Sequence, residues 1–142
     1  AAIPEIIMHV VGSNTPQRMK SLATDKLVIH GFLSDPDLDD LYEAIKLSIV
    51  PLRFGAGVKG KVLEALSKGI PVVTTEVGAE GILGANDALL VTSSPEEMAK
   101  QIIDVYSNNV QLGKLSQSGI QVIKKNYSHE AVLQIIAEDF FV

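Results

Sequence analysis

With 142 residues, 46% of them hydrophobic, the chain is long enough for one domain with its own core. The absence of cysteine excludes disulfides and thiolate metal sites, and the three histidines, His9, His30 and His129, lack metal-ligand spacing. A net charge of −5 argues against a nucleic-acid partner, no apolar run is long enough for a membrane span, and residues 1–9 lack the basic start and cleavage site of a signal peptide. In chain order, residues 5–11 are apolar, partly β-branched and closed by Gly12, which predicts a strand. Thr15 and Pro16 mark a helix start, with Met19, Leu22 and Ala23 on its inner face. Residues 27–30 read as a second strand. Ser34-Asp35-Pro36-Asp37 opens another helix, with Leu38, Leu41, Tyr42 and Ile45 at the spacing of one face.

Residues 47–51 predict a third strand and residues 58–68 a helix burying Val62, Leu63 and Leu66. Gly69 stops that helix and Pro71 prevents its return. Residues 71–75 and 88–91 are further strands. Ser94-Pro95-Glu96-Glu97 has the form of a capping box opening a helix that buries Met98, Ile102, Ile103 and Tyr106. Two helices follow, one with Leu112, Leu115, Gly119, Val122 and Ile123 inward, the other with Val132, Ile135, Ile136 and Phe140. Strands alternate with helices and are too apolar for one wet face. The expected fold is therefore α/β, a Rossmann-like parallel sheet covered by helices on both faces.

Chemistry concentrates between residues 51 and 75. Ligands of such sheets bind beyond the carboxyl ends of the strands, where the loop from Arg53 to Lys61 leaves the third strand. Gly55, Gly57 and Gly60 keep that loop free of bulky side chains. Lys59 and Lys61 stand at the start of the helix. Loop amides, a helix N-terminus and ammonium groups suit a phosphate or diphosphate. Glu64, one turn further on, either accepts hydrogen bonds from hydroxyls or pairs with Lys61 or Lys68 on the helix surface. Arg53 suits a structural contact as well as a phosphate. Glu80 reads as a turn cap, and Asp35, Asp37, Asp39 and Asp40 as a solvated face. His9 and His30 alternate with apolar residues in strands and read as structural.

The same residues carry a resemblance covering nearly the whole chain. They are His30-Gly31-Phe32, Leu41-Tyr42, Pro51-Leu52-Arg53, the run from Gly55 to Ala65, the run from Gly69 to Thr75, Val77-Gly78-Ala79-Glu80-Gly81, and Tyr127 before Ser128-His129. The chain resembles the C-terminal, donor-binding domain of retaining glycosyltransferases of GT-B architecture, the family-4-like glycosyl transferases of group 1. The resemblance implies a nucleoside-diphosphate sugar as donor substrate, with no cofactor and no metal. It places the base near Gly31, Phe32 and Leu33 and the diphosphate at the loop and helix start, from Gly57 through Gly60 to Val62. Lys61 is then the main side-chain partner, with Lys59 and Arg53 assisting. Glu64 holds the ribose, and the transferred sugar lies near Phe54 and Gly57. Many members carry a glutamate eight positions before the equivalent of Glu64; here that position is Ala56. No catalytic acid or base is assigned.

The resemblance further implies that residues 1–142 are a partial C-terminal domain of a longer enzyme. The domain's first strand and helix and the acceptor-binding N-terminal domain are then missing. The absent strand would lie between residues 5–11 and 47–51, a gap closed by collapse or by self-association with a neighbouring chain. Such a fragment is expected to be inactive alone. The complete enzyme is expected to take an acceptor glycan or lipid, in the cytoplasm or peripherally at the inner face of the membrane. Two other classes fit parts of the sequence: an epimerase-like nucleotide-sugar enzyme of the same architecture, and a non-catalytic α/β interaction domain.

Overall fold

The computed structural model describes residues 5–140, the side chain of Phe140 excepted. Ile3 and Pro4, with which the predicted first strand's approach begins, lie outside the described residues, as does the expected inward placement of Phe140. Two compact units divide the chain, Ala1–Ala44 and Ile45–Val142. The architecture is a Rossmann-like α/β fold of parallel sheets flanked by helices.

In the first unit β1 (Met8–Val11) pairs in parallel with β2 (Leu27–Gly31). The register slips between Val10 and Val11, so that Val11 faces Gly31. Across the pair, His9 Nδ1 and His30 Nε2 lie 2.9 Å apart, with the rings stacked at 5.2 Å between centroids. Between the strands, α1 (Gln17–Lys20) is one turn long and buries nothing. The predicted inner face fails here: Met19 is half-buried, Leu22 is 54% exposed and Ala23 is exposed. The helix stops before Leu22 and Ala23, so they never share its face. After β2, α2 (Asp35–Ala44) half-buries Leu38, Leu41 and Tyr42, as its period predicts.

The second unit contains a three-stranded parallel sheet ordered β3 (Ser48–Val50), β4 (Val72–Thr75), β5 (Leu89–Thr92). Among the described residues, β1 and β3 are not hydrogen-bonded to each other, so the strands form two sheets. Between β3 and β4 runs α3 (Gly60–Ser67), which packs on both strands. Its end is a Schellman motif: Ile70 N donates to Ala65 O at 2.9 Å and Gly69 N to Leu66 O at 3.0 Å, with Gly69 at φ 71°. A single turn, α4 (Glu76–Ala79), follows β4 directly and was not foreseen. It starts because Thr75 Oγ1 accepts from Gly78 N at 3.1 Å.

Three helices complete the unit: α5 (Pro95–Tyr106), α6 (Asn109–Asn126) and α7 (His129–Phe140). Register puts Ile49, Val73 and Leu90 in one row across the sheet. That row packs with Met98, Ile102 and Val105 of α5 and Leu112 and Leu115 of α6. Residues 98, 102 and 105 recur at helical spacing, and Ile103 falls off that stripe and is exposed, against expectation. At Gly119 a Cβ would approach Leu66 Cδ2 to 2.8 Å, so glycine permits the close crossing of α6 over α3. The predicted core face of α7 is exposed instead, at Val132, Ile135 and Ile136 together with Leu133. Among the other described elements α7 packs chiefly on α6, which cannot cover a whole apolar face. No described helix is long and apolar enough to cross a membrane.

Candidate functional site

The site is built on the carboxyl end of β3. Threonine hydroxyls fasten the strand ends there: Thr74 Oγ1 donates to Val50 O at 2.8 Å, Thr75 Oγ1 to Leu52 O at 2.6 Å, and Thr92 Oγ1 to Thr74 O at 3.1 Å. From this base the chain leaves as a loop of residues 51–59 and enters α3. Gly55 at φ 130° and Gly57 at φ 74° take conformations that a side chain would disfavour. The loop carries an exposed Phe54, 85% accessible.

Lys59 is the N-cap of α3, with no capping bond from its side chain. Its ammonium instead turns back on the loop. Nζ donates to Gly55 O at 3.3 Å and to Gly57 O, and lies 3.5 Å from Glu80 Oε2. The Lys59 side chain is only 11% exposed, whereas that of Glu80 is 59% exposed. Two carbonyl oxygens and one carboxylate therefore surround a single ammonium. One residue into α3, Lys61 is exposed. Among the described residues its ammonium has no hydrogen-bond or ion-pair partner. The amides of Gly60 and Lys61 lie in the first turn and have no intrahelical acceptor, so a helix N-terminus and a free cation stand within one turn of each other. Val62 is fully buried and its amide donates to Lys59 O at 3.0 Å; it closes the turn and belongs to the core. Glu64 is half-buried and, among the described residues, its carboxylate has no bond, so the alternative pairing with Lys61 is not formed. Arg53 is exposed at the loop's start.

One strand–loop–helix thus brings together Arg53, Gly57, Lys59, Gly60, Lys61, Val62 and Glu64. Gly31, Phe32 and Leu33 belong to the first unit, at the carboxyl end of β2. Gly31 adopts φ 73°, Phe32 is 75% exposed and Leu33 is half-buried. The turn at residues 80–84, where Glu80 was expected only as a cap, also reaches the loop. Glu80 leaves α4 and pairs with Lys59, and Gly81 sits against Val58, where a Cβ would approach Cγ2 to 3.2 Å. Tyr127 Oη accepts from Leu83 N at 3.0 Å and donates to Gly81 O at 3.4 Å, and Asn126 Nδ2 donates to Leu83 O at 3.3 Å. The acidic residue after a glycine-containing turn was the one available signal. Among the described residues no cluster of three or more His, Cys, Asp or Glu could hold a metal.

The fold recurs in solved structures. Sucrose-phosphate synthase from Thermosynechococcus elongatus superposes with a TM-score of 0.79 at 21% identity, over 94% of this chain and 37% of that one. HepE of Anabaena, solved in complex with UDP-glucose, gives 0.78 at 18% identity, over 96% of this chain and 41% of that one. By sequence, an uncharacterized 44.6 kDa protein in the cps region of Klebsiella pneumoniae is 32% identical over 109 residues. That match takes in 75% of this chain and 28% of the relative, so the chain spans little more than a quarter of the relative's length. The model for glycosyl transferases group 1 matches residues 1–108, which takes in β1 to β5, the glycine loop and α3. With the fold in agreement, the chain belongs to the group 1 glycosyl transferases.

Proposed function

We propose that this chain is part of the C-terminal domain of a retaining, hexosyl-transferring glycosyltransferase and binds its nucleoside-diphosphate sugar. One observation carries the reading: an unpartnered ammonium, Lys61, at the N-terminus of α3 behind a glycine loop, on the carboxyl end of a parallel strand. Membership of the family and the UDP-glucose held by HepE support it. Lys61 and the first-turn amides take the diphosphate, Glu64 the ribose hydroxyls, and Gly31, Phe32 and Leu33 the base. The loop at Phe54, Ala56 and Gly57 faces the sugar. The donor is a substrate, and the reading assigns no cofactor.

Transfer breaks the bond between the anomeric carbon and the diphosphate oxygen, and the electron pair leaves with the diphosphate. The acceptor hydroxyl forms the new bond and its proton departs. The chain's contribution is electrostatic: the Lys61 charge and the dipole of α3 stabilise the departing diphosphate. An acceptor glycan or lipid is held by the rest of the complete enzyme, at the cytoplasmic face of the membrane where the acceptor is a lipid. Residues 1–142 alone transfer no sugar, because transfer needs donor and acceptor held in reacting geometry.

The test is made on the complete protein. Donor consumption is followed by mass spectrometry and UDP binding by calorimetry, in the natural protein and in Lys61→Ala and Glu64→Gln. Lys61→Ala is expected to weaken binding by about 1.5–3 kcal/mol, the range of a charged hydrogen bond. Glu64→Gln is expected to weaken UDP but not inorganic diphosphate. Unchanged binding in a folded Lys61→Ala protein overturns the assignment.

A further inference from the structure

We infer that Lys59 and Glu80 form a latch that sets the conformation of the glycine loop, making Glu80 a positioning residue for whatever the loop holds. Lys59 stands on the loop and Glu80 on a different segment, beyond β4 and α4. Their only common purpose in the geometry is the ammonium between Gly55 O, Gly57 O and the Glu80 carboxylate. Two glycines at positive φ have little conformational preference of their own, so an uncorrected loop of this kind samples many shapes. A cation bridging their carbonyls selects one of them. It also engages both carbonyl oxygens, whose partial negative charge would otherwise oppose an anion held by the loop.

Glu80 is held in turn. Tyr127 and Asn126 fasten the turn at Gly81 and Leu83 to the end of α6. Gly81 brings that turn against Val58. Rigidity therefore passes from α6 through the turn to Glu80, then through Lys59 to the loop. The two lysines of the motif thus divide the work: Lys59 is spent inside the protein and Lys61 remains for a ligand. The ligand side of this inference rests on the proposed donor site; the latch itself does not.

The experiment uses the complete protein and the variants Glu80→Gln, Glu80→Asp, Lys59→Met and the double variant Lys59→Met/Glu80→Gln. UDP and GDP binding are measured by calorimetry, and amide hydrogen exchange is followed at residues 54–60. Lys59→Met and Glu80→Gln are each expected to weaken nucleoside-diphosphate binding about three- to tenfold, and the double variant no further than Lys59→Met, because without the ammonium the carboxylate has nothing to hold. Glu80→Asp keeps the charge and restores part of the affinity. Exchange at residues 54–60 accelerates in Lys59→Met, in Glu80→Gln and in the double variant. Tighter or unchanged binding in Glu80→Gln overturns the latch, because the carboxylate would then compete with phosphate for Lys59. Fully additive losses overturn it too. If neither nucleotide binds the natural protein, the donor reading falls. The exchange rates then decide the latch alone, and unchanged rates in Glu80→Gln remove it.

Discussion

The two units obey the same alternation of strand and helix but differ in what they bury. In the first unit, α1 and α2 bury no residue, and no described residue before Val50 is buried. In the second, Val62, Ala65, Leu66, Val72, Val73, Ala88 and Val105 are fully buried. The apolar periodicities are equally clear in both. What differs is the number of layers: three strands and several helices close on one another in the second unit, while two strands and two short helices cannot enclose a side chain. Binary pattern therefore specifies elements, and burial needs a second and third layer to act on.

The largest test of that contrast is Leu66→Ala against Leu22→Ala. Leu66 is fully buried between α3 and α6, and truncating it is expected to cost about 2–5 kcal/mol in chemical denaturation. Leu22→Ala is expected to stay within about 0.5 kcal/mol of the natural protein. A Leu22 loss as large as that of Leu66 in the complete protein would break the comparison, by showing that other parts of the protein cover this residue.

A smaller effect sharpens the account of the second unit. At Gly78 a Cβ would come 1.9 Å from Thr74 Oγ1, so α4 lies on β4 only because glycine is there. Gly78→Ala is expected to destabilise by about 1–3 kcal/mol, as overpacking does. Thr74→Ala in the same protein removes the colliding hydroxyl and should recover part of the loss. Denaturation curves of the single and double variants give the coupling, and simple additivity would rule out the collision.

The smallest effect concerns the cap of α5. Glu97 accepts from Ser93 N at 2.8 Å and from the Ser93 hydroxyl, and Ser94 Oγ accepts from Glu97 N at 3.1 Å. The Ser93 amide, and next the Ser93 hydroxyl, hold the Glu97 carboxyl below its ordinary value of 4.5. A carboxylate favoured by folding adds stability that is complete above its unfolded value and lost as the pH falls through the folded one. Glu97→Gln should therefore lower Tm slightly near neutrality, and the difference from the natural protein should shrink as the pH falls below 4.5 and vanish once the pH is below the lowered folded value. A difference that persists in acid would assign the effect to packing.

Much of the candidate site was legible because its signals are local. Glycines that require positive φ, a helix start and lysines beside it lie within ten residues of one another, and the Schellman stop at Gly69 fixed the far end of α3. The division of labour between Lys59 and Lys61 was not legible. It depends on Glu80, which chain distance separates from the loop and folding brings to 3.5 Å of Lys59 Nζ. The capping box at Ser94 was read correctly in kind, but its glutamate reaches Ser93, one residue earlier than the simple pattern. The one-turn α4 escaped because four residues are too few for periodicity to register.

By itself the sequence determined the alternation of the main strands and helices, the parallel sheet class and the glycine loop with its two lysines at the start of α3. Each is encoded in residues close along the chain, through periodicity, capping and glycine. Only the tertiary structure decided which apolar residues are buried, leaving Leu22 and the apolar face of α7 exposed and closing Leu66 under Gly119. It alone decided which lysine is consumed within the loop and which is left free. Burial and ion pairing depend on what distant segments place opposite a residue, and that is a property of three-dimensional packing which no local pattern contains.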